Sequence, residues 1–176
     1  MTAARTAKVL LVDDRADNLL ALEAILQGLP VEAVPVSSGE EALKRLMQDD
    51  FAVILLDANM PGMDGFETAS HVKQRQRTRH IPIIFLTAAD YDPHLVFRGY
   101  QAGAVDYLTK PFDPWVLRSK ITVFVDLWST HAELAALAGE CLALRDGADR
   151  AIALLTGDHP DVARAADTLR DLRTQH

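Results

Sequence analysis

A chain of 176 residues, 49% hydrophobic and 24% charged, supports one domain of roughly 120 to 130 residues with an appendage. Its formal charge of −7 argues against a general affinity for nucleic acid or anionic membrane, and a single cysteine, Cys141, excludes an internal disulfide framework and fits a reducing compartment. No apolar stretch reaches about 18 residues, and the start of the chain lacks the apolar segment of a signal peptide, so a cytoplasmic location is expected.

In chain order the pattern predicts strands and helices in alternation. A strand from Lys8 to Val12 precedes a helix from Ala16 to Gln27, and a strand from Val31 to Val36 precedes a helix from Gly39 to Met47. Next come a strand from Val53 to Leu56, a helix from Gly65 to Arg75, a strand from Pro82 to Leu86 and a helix from Pro93 to Ala102. The last pair is a strand from Val105 to Leu108 and a fifth helix from Pro114 onward. The strand runs are almost wholly Val, Ile and Leu, the habit of a parallel sheet covered by helices on both faces. Leu19, Leu22, Ile25 and Leu26 fall three or four apart, so one face of the first helix packs on the sheet. Gly28 closes that helix, Ser38 caps the second, and Asp64 before Gly65 reads as a helix cap rather than a ligand.

Beyond the fifth strand the residues Val116, Lys120, Val123, Leu127, Thr130, Leu134, Leu137, Cys141 and Leu144 alternate at four and three. That spacing predicts a long helix packed against another helix, either in a dimer-forming coiled coil or folded back on its own domain. Gly139 weakens this helix by about 1 kcal/mol without ending it. Asp146-Gly147 is expected to break the pattern, with Ala148 to Thr156 and Pro160 to Arg173 as two short amphipathic helices joined by Gly157-Asp158-His159, and Asp158 or His159 at the start of the second. The domain division expected is 1–127 for the α/β unit and 128–176 for the helical extension. From Trp128 to His176 there are 5 Lys and Arg against 8 acids, so this tail is a poor nucleic-acid reader.

Three apolar runs end in a reactive side chain: Val9-Leu-Leu-Val-Asp13-Asp14, Val53-Ile-Leu-Leu-Asp57 and Ile83-Ile-Phe-Leu-Thr87. Ligands bind beyond the carboxyl ends of strands in open parallel sheets, so three acids, a hydroxyl and Lys110 face one crevice. Three unscreened carboxylates would repel and hold a proton, unless a divalent cation is present. Mg²⁺ is the natural cation, being hard, oxygen-seeking and commonly shared between carboxylates and a phosphoryl oxygen. A carboxylate held between metal and Lys110 suits nucleophilic attack on phosphorus, giving an aspartyl phosphate. Read singly, Asp13 and Asp14 also suit a helix N-terminus, Thr87 a strand end and Tyr107 a core aromatic.

Together, Asp13-Asp14, Asp57-Ala-Asn-Met-Pro-Gly-Met-Asp-Gly65, Thr87-Ala-Ala89 and Ala104-Val-Asp-Tyr-Leu-Thr-Lys-Pro-Phe112 resemble the receiver domains of the two-component response regulators, of the plan of the chemotaxis response regulator. The resemblance runs from about Ala7 to about Leu127. It implies a flavodoxin-like doubly wound five-stranded parallel sheet, order 2-1-3-4-5, to which the spacing beyond it adds an extended fifth helix and a small helical tail. It also implies that Asp57 accepts phosphate, that Asp14 binds Mg²⁺ directly with Asp13 acting mainly through metal-bound water, and that the Asn59 backbone carbonyl completes the protein ligands. Thr87 would bind the phosphoryl group, Lys110 would pair with it, Tyr107 would rotate toward the core, and Lys110-Pro111 would be cis. Asn59 and Ala89 occupy the positions that tune hydrolysis in the family; Ala89 has no polar group, so the lifetime should depend on Asn59, and Ala88 is small as access requires.

The function expected is that of a phosphorylation-controlled regulator, fed by a sensor histidine kinase and otherwise not an enzyme beyond Mg²⁺-dependent self-phosphorylation and self-dephosphorylation. Its output would be protein association, as a homodimer or with a downstream protein, through Val123, Leu127, Leu134, Leu137, Cys141 and Leu144. The alternatives are a receiver with a nucleic-acid-binding, antiterminator-like tail, and a receiver portion of a larger hybrid kinase or cyclase. None of the six histidines has metal-ligand spacing, and His131 reads as a solvated helical residue.

Overall fold

Each apolar run forms a strand, and the strands assemble as a five-stranded parallel sheet in the order β2-β1-β3-β4-β5. They are β1 (Ala7–Val12), β2 (Val31–Val36), β3 (Val53–Asp57), β4 (Ile83–Thr87) and β5 (Asp106–Thr109). The helices are α1 (Ala16–Leu26), α2 (Gly39–Gln48), α3 (Gly65–Gln74), α4 (Pro114–Thr156) and α5 (Val162–Thr174). This computed structural model describes residues 6–88, 101, 103–104, 106–156 and 160–174, with side chains described to 172. The helix predicted from Pro93 to Ala102, the start of the last strand at Val105, and Ala89 lie outside the described residues.

Alternation along each strand builds two cores, one per sheet face. Leu10, Val12, Ile54, Leu56, Ile83 and Phe85 pack toward α2 and α3. Val9, Leu11, Val53, Leu55, Ile84 and Leu86 pack on the other face, with Leu22 and Leu26 of α1 and Leu117, Ile121 and Val125 of α4. Local chemistry sets the helix ends much as the sequence predicts: Ser38 accepts from the Glu41 N–H at 3.2 Å and Asp64 from the Glu67 N–H at 2.8 Å, and Gly28, with φ of 83°, follows α1 in a conformation open to glycine. The Arg118 guanidinium of α4 donates to the Ile25 and Gln27 carbonyls at 2.5 and 2.8 Å, closing orphan acceptors at the end of α1.

The chain divides into two compact units, Met1–Ser129 and Thr130–His176, and α4 supplies residues to both. Within the first unit α4 meets the sheet through Leu117, Ile121, Phe124, Val125 and Trp128. The four-three stripe that begins at Val116 and Val123 lies on the other side and is exposed; Lys120, an imperfect member of it, pairs with Asp106.

In the second unit the expected break at Asp146-Gly147 does not occur. The helix runs on to Thr156, and one helix follows it instead of two. Gly147 serves close approach rather than termination: a Cβ there would lie 2.5 Å from Leu172 Cδ1 of α5. Ala151 and Ala165 are buried in the same unit. Asp161 caps α5, its carboxylate accepting from the Arg164 N–H at 3.0 Å; Asp158 and His159, expected at this start, lie outside the described residues. Among the described residues no helix is long and apolar enough to cross a membrane.

Two glycines in helices should respond oppositely to a methyl group. A Cβ on Gly139 would meet nothing within 4 Å, so Gly139→Ala should raise stability by up to about 1 kcal/mol. A Cβ on Gly65 would lie 2.2 Å from the Asp57 carbonyl oxygen and 2.8 Å from Ala58 Cα; that backbone must move, and Gly65→Ala should cost about 1–3 kcal/mol. Urea unfolding followed by far-ultraviolet circular dichroism checks both.

Candidate functional site

The sheet register delivers the predicted acids to one place. Val12 pairs with Leu56 across β1 and β3 and Asp57 with Leu86 across β3 and β4, so Asp13, Asp57 and Thr87 follow one another along the carboxyl edge of adjacent strands. Single carboxylate oxygens of Asp13, Asp14 and Asp57 all lie within 4.8 Å of one another. Asp13 is fully buried, Asp57 nearly so and Asp14 exposed. β5 and the turn after it bring Lys110, whose ammonium donates to Asp13 Oδ2 at 2.8 Å and stands 3.3 Å from Asp57 Oδ1. The Lys110-Pro111 bond is cis, as the resemblance implies, and the Lys110 backbone N–H donates to the Thr87 carbonyl at 2.7 Å.

Asp13 combines the two readings open to it in the sequence. Its carboxylate accepts from the Arg15 N–H at 3.0 Å and from Asn18 Nδ2 at 2.9 Å at the beginning of α1, while Oδ2 also accepts from Lys110. Asn18 was not singled out from the sequence. Its amide pins the carboxylate plane, and the only sequence signal for it is its place one turn after an acidic pair. Asn59 is exposed, and its backbone N–H lies near enough to the Asp57 carboxylate to favour its charged form slightly. Thr87 is half-buried at the end of β4. The Tyr107 ring lies inward, stacked on Phe85 with centroids 5.4 Å apart. Beside Asp13 and Lys110 a groove opens between α1 and the turn before α4, lined by Leu22, Ile25, Pro111 and Phe112. Val123, Leu127, Leu134, Leu137, Cys141 and Leu144 are all exposed.

The donor set is all oxygen, with one acid open to solvent and two held from behind, which fits a hard divalent cation. Asp57 shows what the charges do without one. Burial pushes its carboxyl above the usual carboxylate range; Lys110 pulls it back, and the Asp13 charge pushes it up again. The folded state therefore holds this proton more tightly than the unfolded chain. Asp57 favours folding below the ordinary Asp range and opposes it as pH rises through the folded-state value. Asp57→Asn should accordingly raise the thermal midpoint at pH 7 in the absence of divalent cations, by a few degrees, and the gap should close as pH falls below the ordinary Asp range. Scanning calorimetry across pH reads this out.

Comparison with known proteins follows the same boundaries as the geometry. The model of the response regulator receiver domain matches residues 9–122. The response regulator PleD of Caulobacter vibrioides is 39% identical over 116 residues, which are 66% of this chain and 25% of PleD. The sensor histidine kinase GacS of Pseudomonas protegens is 35% identical over 115 residues, 62% of this chain and 12% of that protein. The chain thus spans a quarter or less of these two relatives. The chemotaxis protein CheY4 of Vibrio cholerae superposes with a TM-score of 0.64 at 32% identity, covering 68% of this chain and 99% of CheY4. With the acids, the lysine and the sheet order in place, this chain belongs to the response regulator receiver domain family.

Proposed function

We propose that the chain is a phosphorylation-controlled switch that accepts a phosphoryl group on Asp57 from a sensor histidine kinase. The observation that carries this is the position of the Asp57 carboxylate, 3.3 Å from the Lys110 ammonium and next to two further carboxylates. Asp57 Oδ attacks phosphorus as the P–N bond of the donor phosphohistidine breaks, and the nitrogen leaves with the electron pair. Lys110 turns from the carboxylates to a phosphoryl oxygen, offsetting charge that grows during transfer. Asp13, Asp14, Asp57 and the Asn59 carbonyl would hold Mg²⁺, which would supply charge neutralisation for the phosphoryl oxygens. The groove beside Asp13 offers a donor protein an apolar footing next to the acceptor.

The phosphoaspartate adds close to two negative charges within reach of Thr87 and Lys110. The Thr87 hydroxyl at the end of β4 follows the new oxygens, and Tyr107, one strand over and already stacked inward on Phe85, is the aromatic that reports or limits this movement. The output is protein association through the exposed apolar face of α4. A second reading is that the receiver works as one part of a larger signalling protein, with α4 as its connector. It is favoured by the short span of PleD and GacS that the chain covers.

Incubation with acetyl phosphate and Mg²⁺ should produce a phosphoprotein gel shift that Asp57→Asn abolishes and chelation by EDTA prevents. Lys110→Ala should retain folding and lower the phosphorylated fraction about tenfold or more, since a charge-assisted hydrogen bond contributes about 1.5–3 kcal/mol. A shift that survives Asp57→Asn would place the acceptor elsewhere.

A further inference from the structure

Between Thr130 and Asp146, α4 crosses a stretch in which Ala132 alone is even partly buried. In proteins most helical stability comes from packing of an apolar face rather than from propensity. Such a face is present. Leu134 and Leu137 are each 57% exposed, Leu144 40%, Ile152 56% and Leu155 43%, and Cys141 is exposed as well. With Ala148 these residues make one stripe at spacings of three and four. Leu134, Cys141, Ala148 and Leu155 are each seven apart, the repeat of a helix paired with another helix.

The structure also shows what does not cover the stripe. Leu172 of α5 lies against buried Gly147; Ala151 is also buried, and Ala148 and Leu154 are half-buried. α5 occupies one flank of α4 and leaves Ile152 and Leu155 on the other flank bare. The charges are sorted by flank in the same way. Glu133 and Glu140, seven apart, each precede a member of the seven-residue repeat and so share the edge that Gly147 and Leu154 continue. Arg145 follows Leu144 and lies on the opposite edge.

We infer that the stripe of α4 binds the same stripe of a second copy of this chain, parallel and in register, so that Glu140 of each copy pairs with Arg145 of the other. This rests on the association output proposed above and names its partner. In a parallel helix pair the residue preceding a core position meets the residue five further along the other helix, which is the separation of Glu140 and Arg145; the two-fold axis forms the pair twice. An antiparallel pair instead brings like edges together. Glu140 of one copy would then lie along the acidic edge of the other, away from Arg145.

Cys141 lies on the axis of this arrangement, and its position reports the register. Parallel pairing brings the two Cys141 Cα atoms within the roughly 4.4–6.8 Å that a disulfide spans. An antiparallel pair centred on the stripe sets Cys141 opposite Ala148 and parts the two sulfurs by about 10 Å along the axis.

The test uses the full chain. Light scattering with Mg²⁺, with and without beryllofluoride, should give the mass of a dimer in at least one state, and copper phenanthroline should convert that dimer to a disulfide-linked species lost in Cys141→Ser. Glu140→Arg or Arg145→Glu alone should weaken the dimer about tenfold, and the double variant should restore it, a recovery that general loss of folding would not produce. A monomer in both states overturns the inference, as does a dimer that neither cross-links through Cys141 nor responds to the single charge reversals. If the monomer still shows an Asp57-dependent gel shift with acetyl phosphate, the receiver reading stands alone. A cross-linked dimer indifferent to beryllofluoride and to Asp57→Asn keeps the inference and removes phosphorylation control of it.

Discussion

The first unit is organised around one positive charge shared by two buried negative ones. Lys110 stands 2.8 Å from Asp13 and 3.3 Å from Asp57, and without it the carboxyl edge of the sheet would hold two buried acids beside an exposed third with no charge to offset them. A buried carboxylate without a partner is costly enough to take up a proton instead. The raised carboxyl of Asp57, with Lys110 acting against burial and Asp13, shows how near the site is to that limit. The tension is useful: a site that satisfied its own charges fully would have little to gain from a cation or a phosphoryl group.

Much of the surrounding architecture can be traced to the need to hold that lysine and those acids in place. The parallel register aligns Asp57 with Leu86 and Thr87 with Thr109, so Thr87 and Lys110 arrive at the same height as the acid. Asn18 and the Arg15 N–H fix Asp13 together with Lys110. Gly65 lets α3 begin against the Asp57 carbonyl, where a methyl group would collide with backbone. These contacts hold the charges in a fixed arrangement before any ligand arrives.

The long helix α4 presents different faces along its length. Leu117, Ile121 and Val125 complete the second core, the residues around Gly147 and Ala151 seat α5, and the stripe from Leu134 to Leu155 faces solvent. A helix that must serve several partners distributes its apolar residues over several faces, which is why one periodic stripe read from Val116 to Leu144 captures only part of its packing.

Strand positions, helix caps at Ser38 and Asp64, and the convergence of Asp13, Asp14, Asp57 and Lys110 were determined by sequence alone. They depend on local patterns: unbroken Val, Ile and Leu runs, side chains that bond their own backbone, and strand ends that a parallel sheet places together. Tertiary structure decided which side of α4 is core, that Asn18 braces Asp13, and that Gly147 lies inside a helix. A glycine ends a helix or admits a neighbour with the same absence of a side chain, and only the arrival of Leu172 above Gly147 separates the two. The sequence holds the residue, but the choice is made by a contact 25 positions away, which no local periodicity encodes.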